Sequence, residues 1–244
     1  MPPRFFLPKK EALQDVLVLR GEDARHVGSS LRMRAGDRVT ICNGDRLDAL
    51  CEIRSIEKGT VHLQVLSRST NAAEPSCSVT LYQCLPKGDK MEQIVQKAVE
   101  LGVFSVVPVL SERCVSRPDS ASIERKLARW KQVSMEAAKQ CGRGIVPTVR
   151  DLHKWDDALE MMAVHKHAWM LYEGHNGNGL PQSLKADAEM GLLVGPEGGF
   201  STHEVEQASQ RGIHPVRFGK RILRTETAGP AALAVVAFLS GNLS

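Results

Sequence analysis

The chain has 244 residues, of which 42% are hydrophobic and 25% charged, with a formal net charge of +4. That length holds one or two domains of ordinary size, and the composition excludes a chain disordered throughout. Aromatic residues make up only 5%, which argues against a surface that reads nucleic-acid bases mainly by stacking, while the mild positive charge permits an anionic partner without requiring one.

From residue 1 to about 70 the sequence alternates in short apolar runs: Val16–Leu19, Arg38–Ile41, Leu50–Ile53 and Val61–Leu66. Turn signals separate them, among them Asn43-Gly44-Asp45 and Lys58-Gly59-Thr60. Asn-Gly between two such runs is a strong hairpin signal. The region reads as a small antiparallel barrel or sandwich. Ser67–Ser76 is polar, contains Pro75 and has no periodicity, so it reads as a linker.

Beyond Cys77 strands alternate with helices. Ser78–Leu85 reads as a strand. Asp89 can cap a helix whose Met91, Ile94, Val95, Ala98 and Val99 fall on one face, ended by Gly102. Phe104–Val109 is the next strand, and a long helix runs over about Ser120–Gln140. Strands follow at Ala168–Tyr172, Gly191–Val194 and near Val216–Phe218. Helices start at Ser201, with the capping box Ser201-Thr-His-Glu204, and at about Glu226, with Thr225 as a candidate cap. This alternation predicts an α/β domain with a mostly parallel sheet covered on both faces. The domains divide as residues 1–72 and 73–244.

The six cysteines include no Cys-x-x-Cys pair, so neither a zinc ribbon nor a thioredoxin-type site is supported. Scattered thiols of this kind fit a reducing compartment. His165 and His167 lack a third ligand at metal spacing, and no metal is expected. The Met161-Met162 pair reads as core or as a subunit interface. The opening MPPRFFLPKK has no signal-peptide core, and the longest apolar run, Ala231–Leu239, is too short to span a bilayer. A cytoplasmic protein without a membrane partner is expected. Basic residues concentrate in the first domain and again over 112–150, two regions that suit a long anionic partner such as RNA or, equally, solvated helix faces.

Three glycine-bearing loops each follow a strand. Leu192-Leu-Val-Gly-Pro-Glu-Gly-Gly-Phe-Ser201 is neither a Walker A loop nor GxGxxG, and it suits a nucleoside-like ligand gripped by backbone groups. An ordinary strand–helix turn would look the same. Phe218-Gly-Lys-Arg-Ile-Leu-Arg-Thr-Glu-Thr-Ala228 carries three cations in five residues, and Leu171-Tyr-Glu-Gly-His-Asn-Gly-Asn-Gly179 is the third loop. Their convergence on one pocket is an expectation that rests only on each of them following a strand.

Together these segments resemble the SPOUT class of S-adenosylmethionine-dependent RNA methyltransferases and, within it, the ribosomal RNA small subunit methyltransferase E (RsmE) family. The resemblance is carried by Met91–Gly102, Glu112-Arg113-Cys114, Glu136–Arg143, Leu193–Gly199 and Arg221–Thr227 in family order, and by Arg4-Phe5-Phe6 ahead of the β domain. It implies an N-terminal PUA-like β-barrel that binds RNA and a C-terminal α/β domain with a trefoil knot. It also implies a homodimer that methylates N3 of a uridine in 16S rRNA of the small ribosomal subunit. The methyl donor, S-adenosyl-L-methionine, is implied to sit in the loops at Leu171, Tyr172 and Glu173, at Val194, Gly195, Pro196, Glu197, Gly198 and Gly199, and at Phe218, Gly219, Ile222, Leu223 and Arg224. Arg224 is the first candidate for stabilising the uridine anion. Arg4 is the second, and Glu226 or Glu197 can orient Arg224 or accept a proton. Arg4, Arg113, Arg143, Lys220 and Arg221 are candidate RNA contacts. Three other readings are a non-catalytic RNA-binding relative, a nucleotide-dependent oxidoreductase or kinase, and a related enzyme acting on tRNA or another rRNA position. The intact loop motifs argue against the first, and the missing phosphate fingerprints against the second.

Overall fold

The computed structural model describes residues 2–174, 179–181, 183–184 and 189–243. The chain divides into two compact units.

The first unit comprises the residues up to Glu74 together with Ala138–Val146. Its strands are β1 (Arg4–Phe6), β2 (Val16–Arg20), β3 (Arg38–Cys42), β4 (Leu47–Glu57) and β5 (Thr60–Thr70), in the sheet order β1-β3-β4-β5-β2. The hairpins form where Asn-Gly and Lys-Gly predicted them. Asn43 Oδ1 accepts from the Asp45 and Leu47 amides at 2.7 and 3.0 Å, folding the turn around its own side chain. Alternate residues Val39, Ile41, Val61 and Leu63 are fully buried, as period-2 patterning requires. Register shifts at Leu50/Cys51 and Ile53/Ser55 mark bulges that bend β4.

The structure corrects two expectations here. The sheet is mixed rather than antiparallel, because β1 pairs with β3 in parallel. The stretch read as a linker begins as strand: Ser67–Thr70 continues β5, paired with β4. Both faces of that strand end are exposed, so its side chains carry no hydrophobic alternation. Glu74, at the end of the same stretch, is buried against Arg143.

The second unit comprises Pro75–Ala137 and the residues from Pro147 onward. Its strands are β6 (Ser78–Cys84), β7 (Ser105–Leu110), β8 (Thr148–Val149), β9 (His153–Lys154), β10 (His167–Leu171), β11 (Glu189–Val194) and β12 (His214–Val216). They form a sheet in the order β12-β10-β11-β6-β7-β8, with β9 also beside β7. Every pairing is parallel. The interior strands are buried almost end to end, the signature of a sheet covered on both faces. The helices are α3 (Lys90–Glu100), α4 (Ser120–Cys141), α5 (Trp155–Ala163), α6 (Thr202–Gln210) and α7 (Thr225–Leu239), preceded in the first unit by α1 (Lys9–Ala12) and α2 (Gly21–Arg25). Among the described residues no helix is long and apolar enough to cross a membrane.

The apolar face expected for α3 is buried at all five positions. Asp89 does stand at the cap position of α3, but its side chain makes no capping bond. The capping box of α6 is present in full. β12 lies two residues earlier than expected, since Val216 pairs with Leu171 and the chain then turns away. The two-residue strands β8 and β9 are too short to leave a periodic signal. Met162, on α5, is wholly buried.

Candidate active site

Parallel pairing puts the carboxyl ends of β12, β10, β11 and β6 side by side along one edge, the position where open α/β sheets bind ligands. A cleft of about 230 Å³ opens there, walled by Leu171–Glu173 after β10 and by Arg217–Leu223 after β12. Leu171, Tyr172, Glu173, Phe218, Gly219, Ile222 and Leu223 of the expected donor site all line it, as do Lys220 and Arg221. His175–Asn178, from the same loop motif, lie outside the described residues.

The Gly195–Gly199 loop does not line this cleft but is locked against it. Thr225 Oγ1 donates to the Gly195 carbonyl at 2.7 Å and accepts from Gln83 Nε2 at 2.9 Å. Thr225 is therefore not the cap of α7. Arg224 holds that position, and Thr225 is the first helical residue, its hydroxyl used to pin the loop. Gly199 has φ +63°, and a Cβ there would lie 3.0 Å from Glu173 Oε1, so only glycine allows this approach without strain. Val194 and Pro196 are buried at the root of the loop. The exposed Arg113 donates to the Gly198 carbonyl at 2.9 Å and braces the loop from outside. Glu112, its neighbour, accepts from Ser201 Oγ at 2.7 Å, tying the end of β7 to the start of α6.

Glu197 and Glu226 are joined by a residue that sequence reasoning missed. Lys90 Nζ lies 2.8 Å from Glu197 Oε1 and 3.3 Å from Glu226 Oε2. The Lys87 amide also donates to Glu197. Burial raises the Glu197 carboxyl, but Lys90 and nearby amides more than offset this and leave it below its usual value. Glu226 is lowered by its own backbone N–H, then by Lys90 and Arg224. Lys90 is raised, first by its bond to Glu197. The depressed carboxylates keep this clasp closed at neutral pH and release it only as pH falls through their folded values. The raised lysine loses its charge only above its ordinary range. Its position one loop beyond the end of β6 was the available signal.

The clasp links the β11 loop to the first turn of α7. Lys90→Met is expected to weaken donor binding roughly two- to fivefold at pH 7. The two uncompensated carboxylates would also make donor affinity newly pH-dependent in the weakly acidic range. Calorimetric titration at several pH values checks both effects.

The remaining expected residues divide. Lys220, Arg221 and Arg224 are exposed; the first two line the cleft, and Arg224 does not. Arg143 is not a surface cation: its Nη2 lies 2.8 Å from Glu74 Oε2, with side-chain exposures of 5% and 3%. The turn at Gly142 (φ +87°) swings it inward from the end of α4. Arg4 is 2.7 Å from Asp48 and 2.8 Å from Cys42 Sγ, and only 9% of its side chain is exposed. Burial, partly offset by Arg4, pushes the Cys42 thiol up to about 12. Arg4 therefore holds β1 to the β3–β4 hairpin. Of the two histidines, His165 Nε2 is 2.9 Å from Tyr82 Oη, and His167 stacks on Trp169.

Residues 73–237 match the family model for an RNA methyltransferase domain, and residues 19–66 match that for an RNA methyltransferase PUA domain. The chain is 33% identical over 227 residues to the ribosomal RNA small subunit methyltransferase E of Bacillus subtilis, covering 90% of this chain and 89% of the relative. The crystal structure of a ribosomal RNA small subunit methyltransferase E from Neisseria gonorrhoeae bound to S-adenosyl methionine is 33% identical with TM-score 0.88, covering 98% of each chain. A Legionella pneumophila methyltransferase in complex with S-adenosylmethionine is 30% identical with TM-score 0.89, again over 98% of each chain. Similarity of this extent, in sequence and in backbone alike, leaves one assignment: the chain belongs to the ribosomal RNA small subunit methyltransferase E family of RNA methyltransferases.

Proposed function

We propose that the chain transfers a methyl group from S-adenosylmethionine to N3 of a uridine in 16S rRNA of the small ribosomal subunit. The observation that carries the reading is the cleft where β10 and β12 end, with Arg224 next in the chain after its lining residue Leu223 and Thr225 bonded to the Gly195 carbonyl. The donor fits it chemically. Leu171, Phe218, Ile222 and Leu223 offer apolar surface to a purine nucleoside, and Gly219 lets backbone approach it closely. Glu173 and the nearby cations suit the charged ends of an amino acid.

The donor, when bound, supplies an electrophilic methyl on a sulfonium. The chain must then align N3 and favour its deprotonated form. Arg224 projects from the cap of α7, where φ −68° and ψ 152° turn it out of the helix. Its guanidinium placed beside a uracil carbonyl lowers the N3 pKa and stabilises the developing anion. Glu197 and Glu226 are poor proton acceptors, Glu197 because Lys90 pairs with it and Glu226 because its own backbone N–H and then Lys90 favour its ionised form. The N3 proton accordingly leaves to solvent. Lys220, Arg221 and Arg113 contact phosphates, which position RNA without specifying sequence. Arg4 acts by holding the N-terminal sheet together.

Residues 1–72 form the PUA-like RNA-binding domain and 73–244 the methyltransferase domain with its trefoil knot, in a cytoplasmic homodimer. The dimer is supported by α7, which is apolar nearly all round. One side packs on α3, β6 and β11, while Ala231, Val235 and Phe238 line the other, Phe238 68% exposed. Phe238→Glu is expected to shift the protein to monomer in sedimentation.

The function is tested with undermethylated 30S subunits and labelled S-adenosylmethionine, followed by mapping of the label. Label on N3 of one 16S uridine supports it. Label elsewhere moves the substrate, and absence of donor binding overturns the enzymatic reading.

A further inference from the structure

A second groove of about 220 Å³ lies in the same unit and shares no lining residue with the donor cleft. Gly88 and Asp89, just ahead of α3, form one side together with Glu92 of its first turn. Ser122, Arg125, Lys126 and Arg129 of α4 form the other. Arg129 stands four residues after Arg125 and three after Lys126, so each of the two is its neighbour on the helix surface. Arg129 Nε is 3.0 Å from Glu92 Oε2 and is thereby steadied at the groove wall. Among the described residues Arg125 and Lys126 form no ion pair with an acid. Arg125 reaches only the Ala121 carbonyl, at 3.4 Å. The facing wall carries the Asp89 and Glu92 carboxylates, but Glu92 is taken by Arg129 and neither acid pairs with Arg125 or Lys126, so these two charges stay available.

The groove is joined to the donor site through the chain. Gly88 follows Lys87, whose amide donates to Glu197 of the β11 loop at 3.2 Å. The chain thus passes in one residue from its contact with the β11 loop to the edge of the groove. A Cβ on Gly88 would meet nothing within 4 Å, so the groove is open above that residue. The α4 wall offers guanidinium, ammonium and hydroxyl groups, opposite the carboxylates of Asp89 and Glu92. Its one aromatic residue, Trp130, is only 4% exposed and presents no stacking face. This is chemistry for phosphate oxygens rather than for bases.

We propose that the α3–α4 groove binds the phosphodiester backbone of the RNA beside the target nucleotide, through Arg125 and Lys126 with Arg129 as the fixed wall. The proposal rests on the RNA methyltransferase reading above and names a binding surface that the donor cleft does not include. It assigns the groove an affinity role with no sequence preference.

The test uses the full chain and undermethylated 30S subunits. Arg125→Ala/Lys126→Ala is expected to raise the KM for subunits several-fold and to reduce the slope of log affinity against log salt by about 1 for each cation removed. Donor affinity should stay as in the wild type, since neither residue lines the cleft. The charge-conserving Arg125→Lys/Lys126→Arg is expected to keep the wild-type salt slope. An unchanged KM and slope in the alanine variant, with the wild type active, overturns the groove and leaves the enzymatic reading standing. Equal losses in both variants also overturn it, since packing rather than charge would then be responsible. A wild type that neither binds nor methylates the subunits removes the reading beneath, and the groove falls with it.

Discussion

Arg224→Ala is expected to slow methyl transfer by about 10²–10³-fold, the usual consequence of removing a donor aimed at developing negative charge. The fold should survive. Arg224 is exposed, and its capping of α7 uses the backbone carbonyl, which accepts from the Thr227 and Ala228 amides at 2.8 and 2.9 Å. Alanine keeps that carbonyl. Arg224→Lys should recover part of the rate, because it restores the charge but not the planar fork. The pH profile carries the mechanism. If the guanidinium acts by favouring the N3 anion, the deficit must shrink as pH rises toward the imide's own ionisation, where the variant's substrate loses its proton unaided. Single-turnover rates over a range of pH check this. A wild-type rate overturns the role, and a deficit constant with pH assigns Arg224 to positioning instead.

The second large effect concerns stability. Arg143→Ala is expected to destabilise the N-terminal unit by about 3–5 kcal/mol, because it strands a buried carboxylate. Glu74 takes Arg143 Nη2 at 2.8 Å and also the Gly144 and Ile145 amides at 2.9 and 3.0 Å. With the arginine gone, the two amides alone face a charge that solvent cannot reach. A surface phosphate-binding residue would behave differently, its removal shifting stability by no more than about 0.5 kcal/mol. The denaturant midpoint therefore separates the two roles for this residue. A midpoint unchanged from wild type would return Arg143 to the RNA-binding surface.

Several elements were legible because their signal is local. The face of α3 repeats at helical spacing, and all five of its apolar residues are buried. Asn43 closes its hairpin with its own side chain, and Ser201 and Glu204 cap α6 within three residues. A mostly parallel sheet was inferable from the strand–helix alternation, but of the three glycine-bearing loops only those after β10 and β12 line the cleft. The polar end of β5 was not legible, because a strand exposed on both faces has no reason to alternate.

The roles of individual charges divide along the same line. Arg143 and Lys220 look alike as basic residues in a sequence, yet one is sealed against Glu74, 69 positions away, and the other lines the cleft. Lys90 attracts no notice until the sheet brings it to Glu197, 107 positions on. Thr225 reads as a helix cap until β6 and β11, neighbours in the sheet, present Gln83 and Gly195 to its hydroxyl. By itself the sequence determined the periodic elements, the two-domain texture and the glycine-rich loops, all of which depend on neighbours a few residues apart. Only the tertiary structure decided which charges are buried, which are paired and which face the ligand, because those energies depend on partners that long-range strand order supplies.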